Sequence, residues 1–471
     1  MVFASLIFLC YFLPISLLLY YLWQNKTYQN IVLTLSSFIF YAWGEPIWVI
    51  LLFFSALVDY LNGLWVEKYL AHSKKMARCG VISSLVINLG LLIAFKYSGF
   101  LAENINNLTN WGLPVPKIDL PIGISFYTFQ TISYTIDVYR GEVKAQKSFL
   151  KFLMFVSMYH QLVAGPIVRY AHIAHEIESR KFSWVNMGAG IHRFCIGLFK
   201  KVAVANVAAE LSKDYLDGNL AEISVGEAWF GIILYSLQIY FDFSGYSDMA
   251  IGLGRMYGFH YYENFKYPYI SKSATEFWRR WHISLGSFFR DYVYIPLGGN
   301  KRFFYRNLLV VWTLTGLWHG ASWNFVLWGL YFGILIALER LFLLRILEKI
   351  SAFFAHLYLI LVVVLGWALF YFTDFQRLTH FFKILFGFAS NAIWNYELNF
   401  KLQENLLWLV LAILLCTPIY FWIAKWFALR MKYRPQLYAW VIVHSFQFIL
   451  LIISITMLVG RSYNPFIYFR F

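Results

Sequence analysis

From Phe353 to Thr373 the chain runs 21 residues without Asp, Glu, Lys or Arg, and Gln436 to Gly460 does the same over 25. About 20 apolar residues in a helix span the hydrocarbon layer of a membrane. Unpaired backbone groups are too costly in lipid, so only helices or closed barrels cross it, and uninterrupted apolar runs of this length select helices. Similar runs recur along the chain, several of them short or broken by Pro, Gly and polar residues. We therefore expect an all-α polytopic membrane protein with roughly 11–13 transmembrane, re-entrant and interfacial helices. Composition agrees: 60% of residues are hydrophobic and 13% charged, where soluble domains carry about 25% charged residues. The opening stretch "MVFASLIFLCYFLPISLLLYYLW" lacks a basic leader and a small-residue cleavage site, so we expect a retained first span.

Basic residues outnumber acidic ones 39 to 24, and in a membrane protein their placement sets orientation. Lys68–Arg78, Arg140–Lys151, Arg169–Lys201, Lys266–Arg306 and Lys425–Arg434 are the basic stretches, expected inside; acidic Glu210–Glu227 is expected outside. With no soluble basic domain present, nucleic acid is not an expected partner, whereas membrane lipid is. Cys10, Cys79, Cys195 and Cys416 have no paired spacing, so neither a disulfide framework nor a metal site is expected. No linker or internal repeat divides the chain. Residues 1–471 are expected to form one integral membrane domain, and the absence of matching halves weighs against many transporter folds.

The most charged stretch, "FWRRWHISLGSFFRDYVYIPLGGNKR" (277–302), reads as a helix. Ser273 and Glu276 have capping-box spacing. From Ala274 to Tyr292, Trp278, Trp281, Leu285, Phe288, Phe289 and Tyr292 share one face, and Arg280, Ser284, Ser287 and Asp291 the next. His282 falls at the edge of the aromatic face. The polar face excludes a lipid-exposed span, and Pro296-Leu297-Gly298-Gly299-Asn300 ends the element. Periodicity leaves two roles open for Arg279, Arg280, Arg290, Lys301 and Arg302: contact with lipid headgroups, or a mouth for an anionic ligand whose phosphates guanidinium groups grip in pairs.

Asn307 to Leu338 holds 32 residues without a formal charge, interrupted by "TGLWHGASWNF" around His319. An ionisable group at membrane depth is expensive and is a functional candidate by default. Imidazole titrates nearest neutrality and can accept and return a proton, although a hydrogen-bonded interior histidine is the competing role. His160 and His192 are expected to be structural or interfacial. Asp242 and Asp248 are expected to hydrogen-bond a neighbouring helix or pair with an arginine, with a paired acid/base role as the alternative. The chain has no GxSxG, HExxH, GxxxxGK[ST] or CxxC motif, which removes the usual carriers of serine-hydrolase, zinc-protease and P-loop chemistry.

Six blocks in order carry a family resemblance: Leu120–Glu142 "LPIGISFYTFQTISYTIDVYRGE", His160–Tyr170 "HQLVAGPIVRY", Gln238–Gly254 "QIYFDFSGYSDMAIGLG", Glu263–Leu285 "ENFKYPYISKSATEFWRRWHISL", Arg290–Asn300 "RDYVYIPLGGN" and Gly316–Gly329 "GLWHGASWNFVLWG". With these the chain resembles the membrane-bound O-acyltransferases, in particular the branch that acetylates bacterial polysaccharides. The resemblance implies a ring-like helical body around a central tunnel in a bacterial cytoplasmic membrane. It implies His319 as the catalytic histidine and His282 at the upstream position of the family's Asn-or-His pair. Arg279, Arg280, Arg290, Trp318 and Asn324 are the expected donor-binding residues. No tightly bound cofactor is implied; the donor substrate would be acetyl-CoA or an acyl carrier protein thioester.

The tail Asn464–Phe471, "NPFIYFRF", resembles a C-terminal motif in which a tyrosine carries the acyl group, making Tyr468 an expected relay. Segment 461–471 is expected outside, near an extracytoplasmic acetyltransferase partner; an aromatic interfacial anchor is the simpler role for it. The implied activity is O-acetylation of an extracytoplasmic polysaccharide, alginate-like or peptidoglycan. Transport of a lipid-linked or anionic solute, D-alanyl instead of acetyl transfer, and a non-catalytic scaffold stay open as alternatives.

Overall fold

Helix forms wherever the sequence runs apolar. The computed structural model describes residues 1–163, 165–431 and 436–460, and among these no strand occurs. The two uncharged runs become the helices Ala352–Tyr371 and Gln436–Leu458. Four helices are long and apolar enough to cross a membrane: Val49–Leu70, Lys74–Thr109, Ala352–Tyr371 and Val441–Leu458. A pair bent by 64°, Tyr396–Glu404 and Leu406–Leu415, would supply a fifth span. Most of the other helices are short or carry buried polar residues, and the N-terminal apolar helix Phe8–Leu22 is shorter than the full span expected of it.

The chain divides into two compact units: Met1–Phe194 with Tyr246–Glu263, and Cys195–Gly245 with Asn264–Phe471. In the first, polar pins replace the hydrophobic drive that lipid removes. Buried Asp59 accepts hydrogen bonds from Ser84, from Asn88 Nδ2 at 2.6 Å and from Thr135 Oγ1 at 2.9 Å, tying three helices together. Arg180, also buried, donates to the Tyr20 hydroxyl (2.5 Å) and to Asn30 Oδ1 (2.6 Å). Asp248 pairs with Arg193 at 2.7 Å, and Arg193 also meets Glu263 at 2.5 Å. His160 is buried, with Nδ1 2.7 Å from the Tyr261 hydroxyl.

In the second unit, Asp242 pairs with Lys201 at 2.6 Å, both side chains almost wholly buried. Charges in such a setting are tolerated when paired; of the two aspartates of the Gln238–Gly254 block, Asp248 has an arginine partner, whereas the partner of Asp242 is a lysine. Asp242 lies on the 32-residue helix Val225–Met256. The 32-residue uncharged segment becomes two helices, Phe304–His319 and Trp323–Leu338, hinged at Gly320–Ser322. They pack backbone to backbone through glycine: a Cβ on Gly316 would sit 2.2 Å from the Phe325 carbonyl oxygen, and one on Gly329 would sit 2.2 Å from that of Trp312. Small residues are what allow helices to approach this closely in a membrane.

The helix expected over Ala274–Tyr292 is not continuous. It divides into Ala274–Arg280 and Ile283–Phe289, followed by a wider turn over Arg290–Tyr294. The helix start holds: Ser273 Oγ accepts from Glu276 N (3.1 Å), while Glu276 Oε2 accepts from Lys272 N (3.0 Å), one residue earlier than a reciprocal capping box requires. Glu339 adds a second cap, accepting from Ala274 N at 2.6 Å and Thr275 N at 2.8 Å. The break comes at Trp281, extended at φ −102°, and His282, left-handed at φ +44°. Downstream, Gly298 and Gly299 take positive φ as their sequence suggests.

Candidate active site

Aromatic residues pack around two histidines of the second unit. Trp278, Trp312, Trp328 and Phe332 interlock, with Trp278 edge-on to Trp312 (4.8 Å between ring centres), Trp328 (5.4 Å) and Phe332 (4.9 Å). Such edge-to-face contacts fix ring orientation as well as burying area. His319, the last residue of its helix and buried, packs edge-on against Trp328 (5.0 Å) and Phe370 (5.2 Å). It also meets Trp318 (5.0 Å), whose indole meets the His282 ring at 5.8 Å. The structure thus brings the two candidate catalytic histidines, 37 positions apart (319 minus 282), onto one buried indole.

His282 reaches this place because the helix breaks. In an unbroken helix it would sit at the rim of the aromatic face; the left-handed turn instead buries it, edge-on to Phe243 at 4.6 Å. A non-glycine residue in this region costs on the order of 1–3 kcal/mol and persists where neighbours enforce it. Two backbone hydrogen bonds do so: Lys266 N to Arg280 O at 2.9 Å and Ile283 N to Asn264 O at 3.0 Å. They place the Asn264 side chain against the imidazole, with Oδ1 3.3 Å from His282 Nδ1. Burial lowers the His282 pKa, which keeps the ring neutral.

The remaining expected site residues divide. Trp318 lines the site. Asn324, fully buried, donates from Nδ2 to Phe370 O at 3.2 Å, tying the hinge to the end of Ala352–Tyr371. Its Oδ1 has no hydrogen-bond partner among the described residues. Arg280 is engaged by Glu276 (2.8 Å), and exposed Arg290 by Asp291 (2.7 Å). Arg279, one residue before Arg280 on the same short helix, is exposed. Tyr468 lies outside the described residues. Among the described residues no cluster of His, Cys, Asp or Glu has metal-binding geometry, and all four cysteines are free.

Asn264, Phe243 and Trp328 also belong to the site, although their residue types and spacing carry no catalytic motif. Asn264 lies in the Glu263–Leu285 block, where an uncharged amide inside the aromatic run "ENFKYPY" is the signal that could have marked it.

The chain buries two imidazoles against one indole among aromatic rings, and imidazole is a side chain able to accept and return a proton near neutrality. Residues 3–382 match the model of MBOAT, the membrane-bound O-acyltransferase family. The chain belongs to this family and is an O-acyltransferase. It is 37% identical to the "Probable alginate O-acetylase AlgI" of Pseudomonas putida, over 100% of both chains. It is 38% identical to the Pseudomonas aeruginosa protein of the same name, covering 93% of this chain and 83% of that one. A "Peptidoglycan O-acetyltransferase" of Helicobacter pylori is 34% identical over 72% of this chain and 70% of its own.

Proposed function

We propose that this protein takes acetyl groups from a cytoplasmic thioester and passes them across a bacterial cytoplasmic membrane for O-acetylation of an extracytoplasmic polysaccharide, alginate-like or peptidoglycan. The observation that carries the proposal is the burial of His319 and His282 against Trp318, walled by rings that limit water. In this scheme an acceptor hydroxyl oxygen attacks the thioester carbonyl while His319 removes the hydroxyl proton. The tetrahedral intermediate collapses to an ester, and the departing thiolate takes the proton back from His319. Excluding water keeps hydrolysis from competing.

The names of the relatives support acetyl as the group and alginate or peptidoglycan as its destination. The donor is acetyl-CoA or an acyl carrier protein thioester, whose phosphates suit Arg279, Arg280 and Arg290. Tyr468 is the acceptor that relays acetyl to an extracytoplasmic acetyltransferase partner, which selects the polymer.

The test is transfer or slow hydrolysis of radiolabelled acetyl thioester by purified protein. Wild type is expected to turn it over, and His319→Ala to fold and lose about 10²–10⁴-fold. Full turnover by a folded His319→Ala protein would remove His319 from the mechanism. An inert wild type would point to a carrier or scaffold.

A further inference from the structure

Asn264 sits where the protonation pattern of His282 is decided. Its side-chain oxygen accepts a hydrogen bond from the backbone N–H of Ser284 at 3.0 Å. A backbone N–H only donates, so the atom it meets must be the amide oxygen, which fixes which way the amide points. The Ser284 hydroxyl donates to the same oxygen at 2.9 Å. Two atoms then face His282 Nδ1: Asn264 Oδ1 at 3.3 Å and Ser284 Oγ at 3.4 Å, the latter with its proton directed at Asn264. Both present lone pairs to Nδ1. A second lone pair on Nδ1 would be repelled, so Nδ1 must carry the ring proton.

The consequence falls on the opposite nitrogen. With Nδ1 protonated and the ring neutral, Nε2 holds a lone pair. That atom is buried and has no hydrogen-bond partner among the described residues. An unsatisfied acceptor inside a protein is normally avoided, and this one is on a ring that shares the Trp318 indole with His319.

We propose that Asn264 is a positioning residue, holding His282 in the Nδ1–H tautomer so that Nε2 stays a bare hydrogen-bond acceptor in the site while His319 takes the proton of the attacking hydroxyl. The proposal rests on the acyl-transfer reading above, and it assigns His282 one orientation and one tautomer. The backbone pairing of Asn264 and Lys266 with Ile283 and Arg280 makes the arrangement part of the fold, so it exists before substrate arrives.

The experiment has a spectroscopic and a kinetic arm. Solid-state NMR of the full-length protein in bilayers with ¹⁵N-labelled histidine, with His282 identified by difference against His282→Gln, reports which ring nitrogen carries the proton. Wild type should show Nδ1 protonated and Nε2 bare. Asn264→Leu, similar in volume but lacking the acceptor oxygen, should mix the tautomers and lower kcat about 10- to 100-fold, within the roughly 10²–10⁴ that positioned proton acceptors contribute. KM for the thioester should change by less than about twofold, because the lost interaction matters after binding. Asn264→Asp keeps an acceptor oxygen and should recover most of kcat.

A wild-type spectrum with Nε2 protonated overturns the proposal, as does an Asn264→Leu protein with full kcat. Should Asn264→Leu not fold, the wild-type spectrum and Asn264→Asp decide. A wild type with the expected tautomer and no acetyl transfer would sink the acyl-transfer reading while leaving the tautomer assignment standing.

Discussion

Removing one member of the Lys201–Asp242 pair should destabilise the protein far more than removing both. The side chains are 4% and 1% exposed and 2.6 Å apart. At an effective dielectric near 20, two charges at that separation attract by about 6 kcal/mol, much of which is offset by dehydrating them. Lys201→Met leaves Asp242 buried without its lysine, and Asp242→Leu leaves the lysine in the same position; each should cost about 3–5 kcal/mol. The double variant replaces the pair with apolar groups of similar size and should return to within about 1–2 kcal/mol of wild type. Equilibrium unfolding in mixed micelles, followed by tryptophan fluorescence, measures all four proteins. Asp242 precedes Phe243, whose ring meets His282 at 4.6 Å, so acetyl transfer should fall in the single variants and partly recover in the double. Additive losses, with the double variant as unstable as the sum of the singles, would refute this account of the pair.

Gly316→Ala should destabilise the protein by about 1–3 kcal/mol or more, because the added methyl meets the Phe325 carbonyl and forces apart the hairpin whose end carries His319; thermal unfolding and kcat together check this. Gly90→Ala, at a helical glycine with open space around it, is the control and should leave both nearly unchanged. Arg279→Gln should raise the apparent KM for acetyl-CoA or a carrier thioester several-fold with little change in melting temperature, and an unchanged KM would return this arginine to lipid contact. Tyr468→Phe should abolish acetyl recovered on the C-terminal peptide by mass spectrometry; undiminished delivery to an external acceptor would dismiss the relay.

The membrane class was legible because hydrophobic length and backbone satisfaction leave so few choices, and the runs at 353–373 and 436–460 became helices almost residue for residue. The hinge beside His319 was legible too, since an uncharged run of 32 residues broken by Gly316, Gly320 and Ser322 is too long for one span. The break at His282 was not. Aromatic periodicity continues across it, and helical period carries no information about a left-handed residue stabilised by Asn264 and Lys266 from 15 or more positions earlier. For the same reason Asn264 escaped notice: its significance is a hydrogen bond across a turn, which composition and spacing do not encode. The arginines show the reverse limit. Their clustering was visible, but pairing of Arg280 with Glu276 and of Arg290 with Asp291 depends on side-chain geometry.

The most direct test of the central claim places purified protein in sealed liposomes, with radiolabelled acetyl thioester on the cytoplasmic face and an acceptor with its acetyltransferase on the other. The account predicts that label appears on the far side, esterified to the acceptor, with wild type and not with folded His319→Ala or in protein-free liposomes. Equal delivery by His319→Ala, or label crossing as intact thioester, would contradict it.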